Sequence, residues 1–333
     1  MGSYRITAVT LMFILGTAAC GSAGGAGTAG ESTSPKAITS VPTIALIQTA
    51  TGIAAVTGGT DHIVWSAIGA VAAPDGSAVF AMDTDGLLAE LDPHTGEPLH
   101  SWLVPLGVSP VVVSPDGAVV ALSDRPTEYD SESQPRPRTH VVVISGTSGA
   151  ISHDLDLTGD VEPEAFSIDH NSLYALDHRG DHYRVQTLEL ASGERSDLID
   201  RDKEPADDMR GRAVHGLLSS DRSQLATLYI NPENLAEPAF VHVLDLNGSS
   251  YCVHLPDAFA QGPARSQSIE RTADDHVVVR NPALDRSARF SLTAIRAGES
   301  VPVGTGPSVG TAPDAPYREV DGFRALVAVL PPA

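Results

Sequence analysis

From Val41 onward the chain is a succession of short apolar runs broken by Gly, Pro, Asp and Asn, with almost no helical periodicity. One phrase recurs through it: an apolar strand, a tight turn centred on an aspartate, and a second apolar strand. It is clearest in Val71-Ala72-Ala73-Pro74-Asp75-Gly76-Ser77-Ala78-Val79-Phe80 and in Val112-Val113-Ser114-Pro115-Asp116-Gly117-Ala118-Val119-Val120-Ala121. Weaker copies run from Phe166 to Tyr174, from Leu218 to Leu225 and from Ile269 to Val279. The turn aspartates Asp75, Asp116, Asp169, Asp221 and Asp274 are spaced 41, 53, 52 and 53 residues apart. A second phrase follows the first in four copies, Leu87 to Gly96, Val141 to Gly149, Val185 to Gly193 and Val241 to Gly248. Each is a strand closing into a Gly-containing turn, where glycine accepts positive φ without steric cost.

Together the two phrases predict a unit of four strands, A to D from the axis outward. In the first complete unit these are about 68–73, 77–82, 87–92 and 98–104, and five units end near Val104, Leu157, Ile199, Leu255 and Val303. The remaining runs lie at the two ends: Thr43–Gln48, Ile53–Thr57 and His62–Trp65 at the start, Tyr317–Val320 and Phe323–Leu330 at the finish. Neither set makes a sheet alone, and joined they predict a composite blade that closes a ring and removes its open edges. The fold expected is an all-β propeller of four-stranded antiparallel blades. It has six blades, or seven if the stretch after Ser300 holds a degenerate unit. A fold of this kind leaves function open.

Strand direction alternates within a blade, so A–B and C–D turns emerge on one face and B–C and D–A connections on the other. The A–B and C–D turns read as tight. The long connections, Ser123–Thr139, Asp177–His182, Asp200–Arg212, Asn231–Pro238 and Asn281–Ser287, all fall on the second face. Variable loops on a rigid scaffold are where binding tends to reside. The candidate binding residues are therefore Tyr129, Arg179, His182, Lys203, Glu204 and Arg210.

The first residues read as an address rather than as structure. Arg5 precedes an apolar run from Ile6 to Leu15, and Gly16 to Ala19 form a small-residue exit. That run is too short to span a bilayer, which takes about 20 apolar residues. The segment Thr17-Ala18-Ala19-Cys20 resembles the lipobox of bacterial lipoproteins, with Thr17 where that family carries Leu. The resemblance implies a signal peptide over 1–19, a lipidated Cys20, a Gly/Ala/Ser/Thr-rich tether over 20–41 and a propeller domain over 42–333. Ordinary signal-peptidase cleavage after Ala19 is the alternative, and either way the chain is exported. The only other cysteine is Cys252, in the strand-like Tyr251-Cys252-Val253-His254-Leu255, and it reads as a small buried hydrophobe.

The formal net charge of −21 speaks against binding nucleic acid or gripping anionic lipid by charge. It is the charge of a soluble, self-repelling surface, and a monomer is expected. Candidate chemistry is sparse. Asp83-Thr84-Asp85-Gly86 begins like a calcium loop but lacks the full frame, so a plain B–C turn is expected. His178 and His182 are four apart, a spacing that aligns metal ligands on a helix and not in a hairpin loop. The charged run Asp200 to Glu204, with Asp207, Asp208 and Arg210, reads as a solvated loop or the polar rim of a partner site. Ser148 lacks the Gly-x-Ser-x-Gly setting of a nucleophile elbow. No catalytic residue, metal or cofactor is expected.

The two-part phrase, most specifically Ser114-Pro115-Asp116-Gly117 and Asp92-Pro93-His94-Thr95-Gly96, resembles the bacterial YVTN-type and Tol-associated propellers over most of residues 65–255. The segments Glu162-Pro163-Glu164-Ala165-Phe166, Lys203-Glu204-Pro205 with Met209-Arg210-Gly211, and Phe240 to Pro256 look like uncharacterised actinobacterial propellers. The reading that follows is a lipid-anchored module on the outer face of the cytoplasmic membrane. It binds an envelope protein, peptide or glycan without catalysis. The alternative is an exported hydrolase resembling YVTN-type lactonases, with Glu164 and His215 as first suspects. Trp65 and Trp102 are too few for the repeated tryptophans of quinoprotein dehydrogenases.

Overall fold

The computed structural model describes residues 44–330, except 50–51, 58–59, 74–75, 125–134, 181, 201–208, 232–238, 257–258, 260–266, 273, 282–283, 300 and 308–322. It forms a β-propeller, and six sheets stand among the described residues. Blade I contains β1 (Ile44–Thr49), β2 (Ile53–Thr57) and β3 (Thr60–Trp65). Blade II is β4 (Gly69–Ala72), β5 (Val79–Met82), β6 (Leu87–Leu91) and β7 (Pro98–Leu103). Blade III is β8 (Ser109–Val113), β9 (Val119–Ser123), β10 (Arg138–Ser145) and β11 (Ile151–Thr158). Blade IV is β12 (Asp160–Phe166), β13 (Ser172–His178), β14 (Tyr183–Glu189) and β15 (Arg195–Asp197). The short β16 (Ile199–Asp200) then joins blade V, whose own strands are β17 (Arg212–Leu218), β18 (Gln224–Ile230), β19 (Phe240–Asp245) and β20 (Ser249–His254). Blade VI is β21 (Ser268–Arg271), β22 (His276–Asn281), β23 (Arg286–Ser291) and β24 (Gly304–Pro307). The last strand, β25 (Phe323–Leu330), returns to pair antiparallel with β1 and completes blade I as its innermost member.

This is the composite blade that the terminal runs predict. Because Ile44 pairs with Leu330, β1 begins and β25 ends on the same side, the face of the A–B turns. In blades II and III the middle strands are mostly apolar: β5 and residues 120–123 of β9 are wholly buried, and β10 carries Val141-Val142-Val143-Ile144. Sheets covered on both sides need such runs, not alternation. The outer strands β7 and β11 are largely exposed. The core is accordingly a set of layers between neighbouring sheets. Phe80, Leu88, Leu122 and Ile144 fill the layer between II and III, Phe166, Leu173 and Leu188 that between III and IV, and Leu228, Val241, Val277 and Phe290 that between V and VI.

Two features differ from the sequence reading. The C–D connection of blade VI is not tight: it carries the helix α1 (Leu292–Arg296), capped by the Ser291 hydroxyl accepting from the Ala294 amide, and buries Leu292 and Ile295. Five residues make little more than one helical turn, below what a hydrophobic period can reveal. Blade V also has a fifth strand, since β16 adds in parallel to the outer edge of β20.

Four of the A–B turns, those of blades III to VI, share one construction. In blade III the buried Ser114 hydroxyl donates to Asp116 Oδ1 at 2.7 Å and accepts from the Val119 amide at 3.0 Å, while Gly117 holds φ of 75°. Ser167 with Asp169, Ser219 with Asp221, and Thr272 with Asp274 repeat the hydroxyl–carboxylate bond at 2.7, 2.7 and 2.6 Å. Where glycine is missing, His170, Arg222 and Asp275 take up the left-handed conformation at φ of about 60°. Each of these side chains meets another blade: His170 Nε2 lies 3.1 Å from Asp116 Oδ1, Arg222 donates to the Pro115 carbonyl, and Asp275 accepts from the Ser220 amide. Ser219→Ala removes a buried donor and acceptor at once and is expected to cost about 1–2 kcal/mol, read as a lower urea midpoint.

These turns also set an acid limit on stability. The hydroxyls of Ser167 and Thr272 hold Asp169 and Asp274 below the ordinary carboxyl value of 3.8. Burial pushes Asp116 and Asp221 up, but the Ser114 and Ser219 hydroxyls, turn amides and the neighbouring His170 or Arg296 more than reverse it. A carboxyl whose folded value lies below its unfolded one stabilises the fold fully above the unfolded value and loses that contribution as pH falls beneath it. The urea midpoint is therefore expected to hold from pH 7 to 5 and drop below about pH 4. The triple variant Asp116→Asn, Asp169→Asn, Asp221→Asn should flatten the drop; an unchanged acid profile in that variant would sink the assignment.

Candidate functional site

The A strands run from the long-loop face to the tight-turn face, so the ends of the B strands and the starts of the C strands mark the long-loop face. On that face, between blades IV and V, several of the candidate residues meet. Arg179 and His182 close the hairpin between β13 and β14, with the Arg179 amide donating to the His182 carbonyl at 2.8 Å. The next residue, Tyr183, exchanges both backbone hydrogen bonds with Met209 at 2.9 Å. That bridge ties the connection between blades IV and V to the hairpin and sets Arg210 beside it, where the Tyr183 hydroxyl reaches the Arg210 carbonyl at 3.5 Å. Arg179 itself grips Asp177 through Nε and Nη2 at 3.0 and 2.8 Å. Cys20, Tyr129, Lys203 and Glu204 lie outside the described residues, as does the side chain of His215, whose backbone is in β17.

Beneath this rim lies a buried polar and aromatic group. β12 bulges between Pro163 and Ala165, which leaves Glu164 without a partner on β13. A bulge re-aims a side chain, and Glu164 turns across the seam to blade V. There its Oε1 accepts from the Tyr229 hydroxyl at 2.8 Å and stands 3.7 Å from His242 Nδ1. Side-chain exposure is 9% for Glu164 and 1% for His242. Among the described residues, Glu164 Oε2 and both ring nitrogens of His242 meet no hydrogen-bond partner. Desolvation, then the Glu164 charge, pushes the Tyr229 phenol well above its usual value, so it remains a donor. Phe240 stacks on Tyr229 with ring centres 5.3 Å apart, Tyr183 tilts against it at 5.8 Å, and His178 joins at 5.4 Å from Tyr183. His178 is engaged through Nε2 with Glu162 at 2.8 Å, so its side chain has a carboxylate partner rather than His182.

Sequence reasoning reached Glu164 and the rim but not Tyr183, Tyr229 and His242. Tyr229 and His242 stand in largely apolar strands whose neighbours suggest core positions, and only the strand pairing brings them to Glu164, while Tyr183 joins through Tyr229. The other residues weighed for chemistry have structural roles. Asp83 Oδ1 accepts from the amides of Asp85 and Leu87 in a B–C turn, and Ser148 donates its amide to Ser145 Oγ in a C–D turn. Cys252 is buried. Among the described residues no group of three His, Cys, Asp or Glu side chains is placed to hold a metal ion, and no helix is long and apolar enough to cross a membrane.

No protein-family model matches the chain, and no curated protein does. Solved structures similar in fold include TolB from Acinetobacter baumannii, at 15% identity and a TM-score of 0.43 over 75% of this chain and 60% of that one. The chain thus spans three-fifths of that relative's length. The Myceliophteria thermophila Cps50 (Swd1) β-propeller domain is similar at 9% identity and a TM-score of 0.45, covering 80% of this chain and 76% of that one. A chain of the nidogen/laminin complex is similar at 12% identity and a TM-score of 0.42, covering 80% of this chain and 99% of that one.

Proposed function

We propose that this chain is an exported, lipid-anchored propeller that binds a protein, peptide or glycan of the cell envelope through its long-loop face, as a non-catalytic module. The observation that carries the reading is the Tyr183–Met209 bridge, which gathers Arg179, His182 and Arg210 on one rim between blades IV and V. Irregular connections pinned to a rigid scaffold are a common basis for recognition. Lipidation of Cys20, residues 20–41 as tether and residues 42–333 as the binding domain belong to the same proposal, with a monomer as the working unit.

Photo-crosslinking in the intact envelope tests it. A photoreactive residue at His182 or Arg210 should yield a discrete adduct, and the same residue at Thr95 or Asn247, on the tight-turn face, should not. Adducts from the tight-turn positions alone would reverse the assignment of faces. Radiolabelled palmitate incorporated into the wild type and not into Cys20→Ser would support the anchor.

A second reading, the exported hydrolase, draws on the Glu164, Tyr229 and His242 group, since buried acids and imidazoles are the usual agents of general acid–base chemistry. Burial weighs against it. His242 and Tyr229 are almost fully covered, and a substrate atom would meet them only if the seam between blades opened. Lactone hydrolysis by the wild type that is lost in Glu164→Gln, with unfolding unchanged, would establish this reading in place of the first.

A further inference from the structure

Among the described residues, the two most exposed large apolar side chains sit together on the long-loop face, away from the rim between blades IV and V. Leu103 is 80% and Leu106 75% exposed, at the end of β7 and in the connection that leads to β8. They are not loose: Val104 and Val108 beside them are buried, and the Val104 amide donates to the Gly86 carbonyl at 3.0 Å. Gly86, at φ of 81°, leaves the floor on which Leu106 lies; a Cβ there would come within 2.8 Å of Leu106 Cδ2. Leu103 pairs with Leu87 in the next strand position, so the two leucines stand over one stretch of backbone. Half-exposed Ile68 lies at the same end of blade II, its amide donating to the Met82 carbonyl at 2.7 Å just ahead of the Asp83–Asp85 turn. Presenting two leucines on a fixed backbone, rather than folding them inward, marks an interaction surface.

The surrounding charge identifies the occupant. Asp83 and Asp85 form the turn that ends in Gly86, with Asp85 exposed. The chain as a whole carries −21. An anionic lipid surface is disfavoured, because the aspartates repel it. We propose that Ile68, Leu103 and Leu106, with the Asp83–Asp85 turn, form a docking site for a cationic amphipathic segment of a partner protein. In it leucine-like side chains cover the apolar floor and lysine or arginine meets the aspartates. The site rests on the reading of the long-loop face as the binding face and gives it a partner class.

The test uses the mature chain with Cys20→Ser and an 18-residue amphipathic Leu/Lys peptide as probe, with a Leu/Glu peptide of the same pattern as control, followed by calorimetry. The wild type should bind the Leu/Lys peptide and not the Leu/Glu peptide. Leu103→Ser with Leu106→Ser should weaken binding at least tenfold, Asp85→Asn severalfold with a shallower salt dependence, and Ile151→Ser on another surface not at all. Equal binding by the double-leucine variant overturns the site, because charge alone then explains the affinity. So does equal binding of the Leu/Glu peptide or no binding by the wild type. Two further results would assign another occupant: phosphatidylglycerol vesicles retained through these leucines, or sedimentation as a dimer that the double variant abolishes. If crosslinks form at His182 or Arg210 while the leucine variant is silent, this site fails and the binding face stands; if both fail, the face itself is wrong.

Discussion

Replacing Gly149 by alanine is expected to destabilise the protein by about 3 kcal/mol, the sum of an overpacked contact and a left-handed residue that is no longer glycine. Gly149 closes the C–D turn of blade III at φ of 66°, and a Cβ there would overlap the indole of Trp102 on blade II. The ring cannot step aside cheaply. It stacks on His100 with centres 5.8 Å apart and packs against the layer between the two blades. The same turn is pinned at Gly146, where a Cβ would lie 2.5 Å from the Gly117 carbonyl. The urea midpoint of Gly149→Ala should fall sharply, and Trp102→Ala should cost much less in that background than alone. Additive costs in the double variant would show that the two residues do not share the space.

Tyr229→Phe is expected to cost about 2–3 kcal/mol, far more than a surface hydroxyl, because it leaves a buried carboxylate with no donor. Glu164 Oε1 takes its hydrogen bond from Tyr229, and Oε2 has none among the described residues. The sign of the second step is the sharper test. Glu164→Gln removes the charge and should be less harmful in the Tyr229→Phe background than in the wild type, where it sacrifices a charge-assisted bond. If Tyr229→Phe proves neutral by urea unfolding, the carboxylate finds its donor elsewhere and the buried group is not the closed unit described above.

How much of this was legible in the chain depends on the scale of the signal. The composite blade could be read because β25 is an apolar run with no partner nearby in sequence, while β1, β2 and β3 fall one strand short of a blade. The turn phrase could be read at Gly117, and it fades at His170, Arg222 and Asp275 because three different residue types occupy one backbone conformation. The fading is not decay: each substitute reaches another blade, a role that no single-blade pattern encodes. The helix at Leu292–Arg296 and the two residues of β16 are shorter than any period that a sequence window resolves. At the site, the loops that carry Arg179, His182 and Arg210 were visible as interruptions in the repeat. The bulge at Glu164 was not, since a shift of one residue in register changes the partner of a side chain without changing the residues around it. The leucines at 103 and 106 did leave a signal, an apolar Leu-Val-Pro-Leu-Gly in a connection where polar residues are the rule.

The pairing of β1 with β25 also determines how the protein bears load. A pull on the segment ahead of Ile44, opposed by a ligand held on the far face, acts along β1 rather than across it. β1 is flanked by β25 on one side and β2 on the other, over registers running from Ile44 to Thr49 and from Ala45 to Gln48. The hydrogen bonds on both flanks are then strained together and must yield together, instead of opening one after another from an end. A ring closed in this way resists being drawn apart from its first strand.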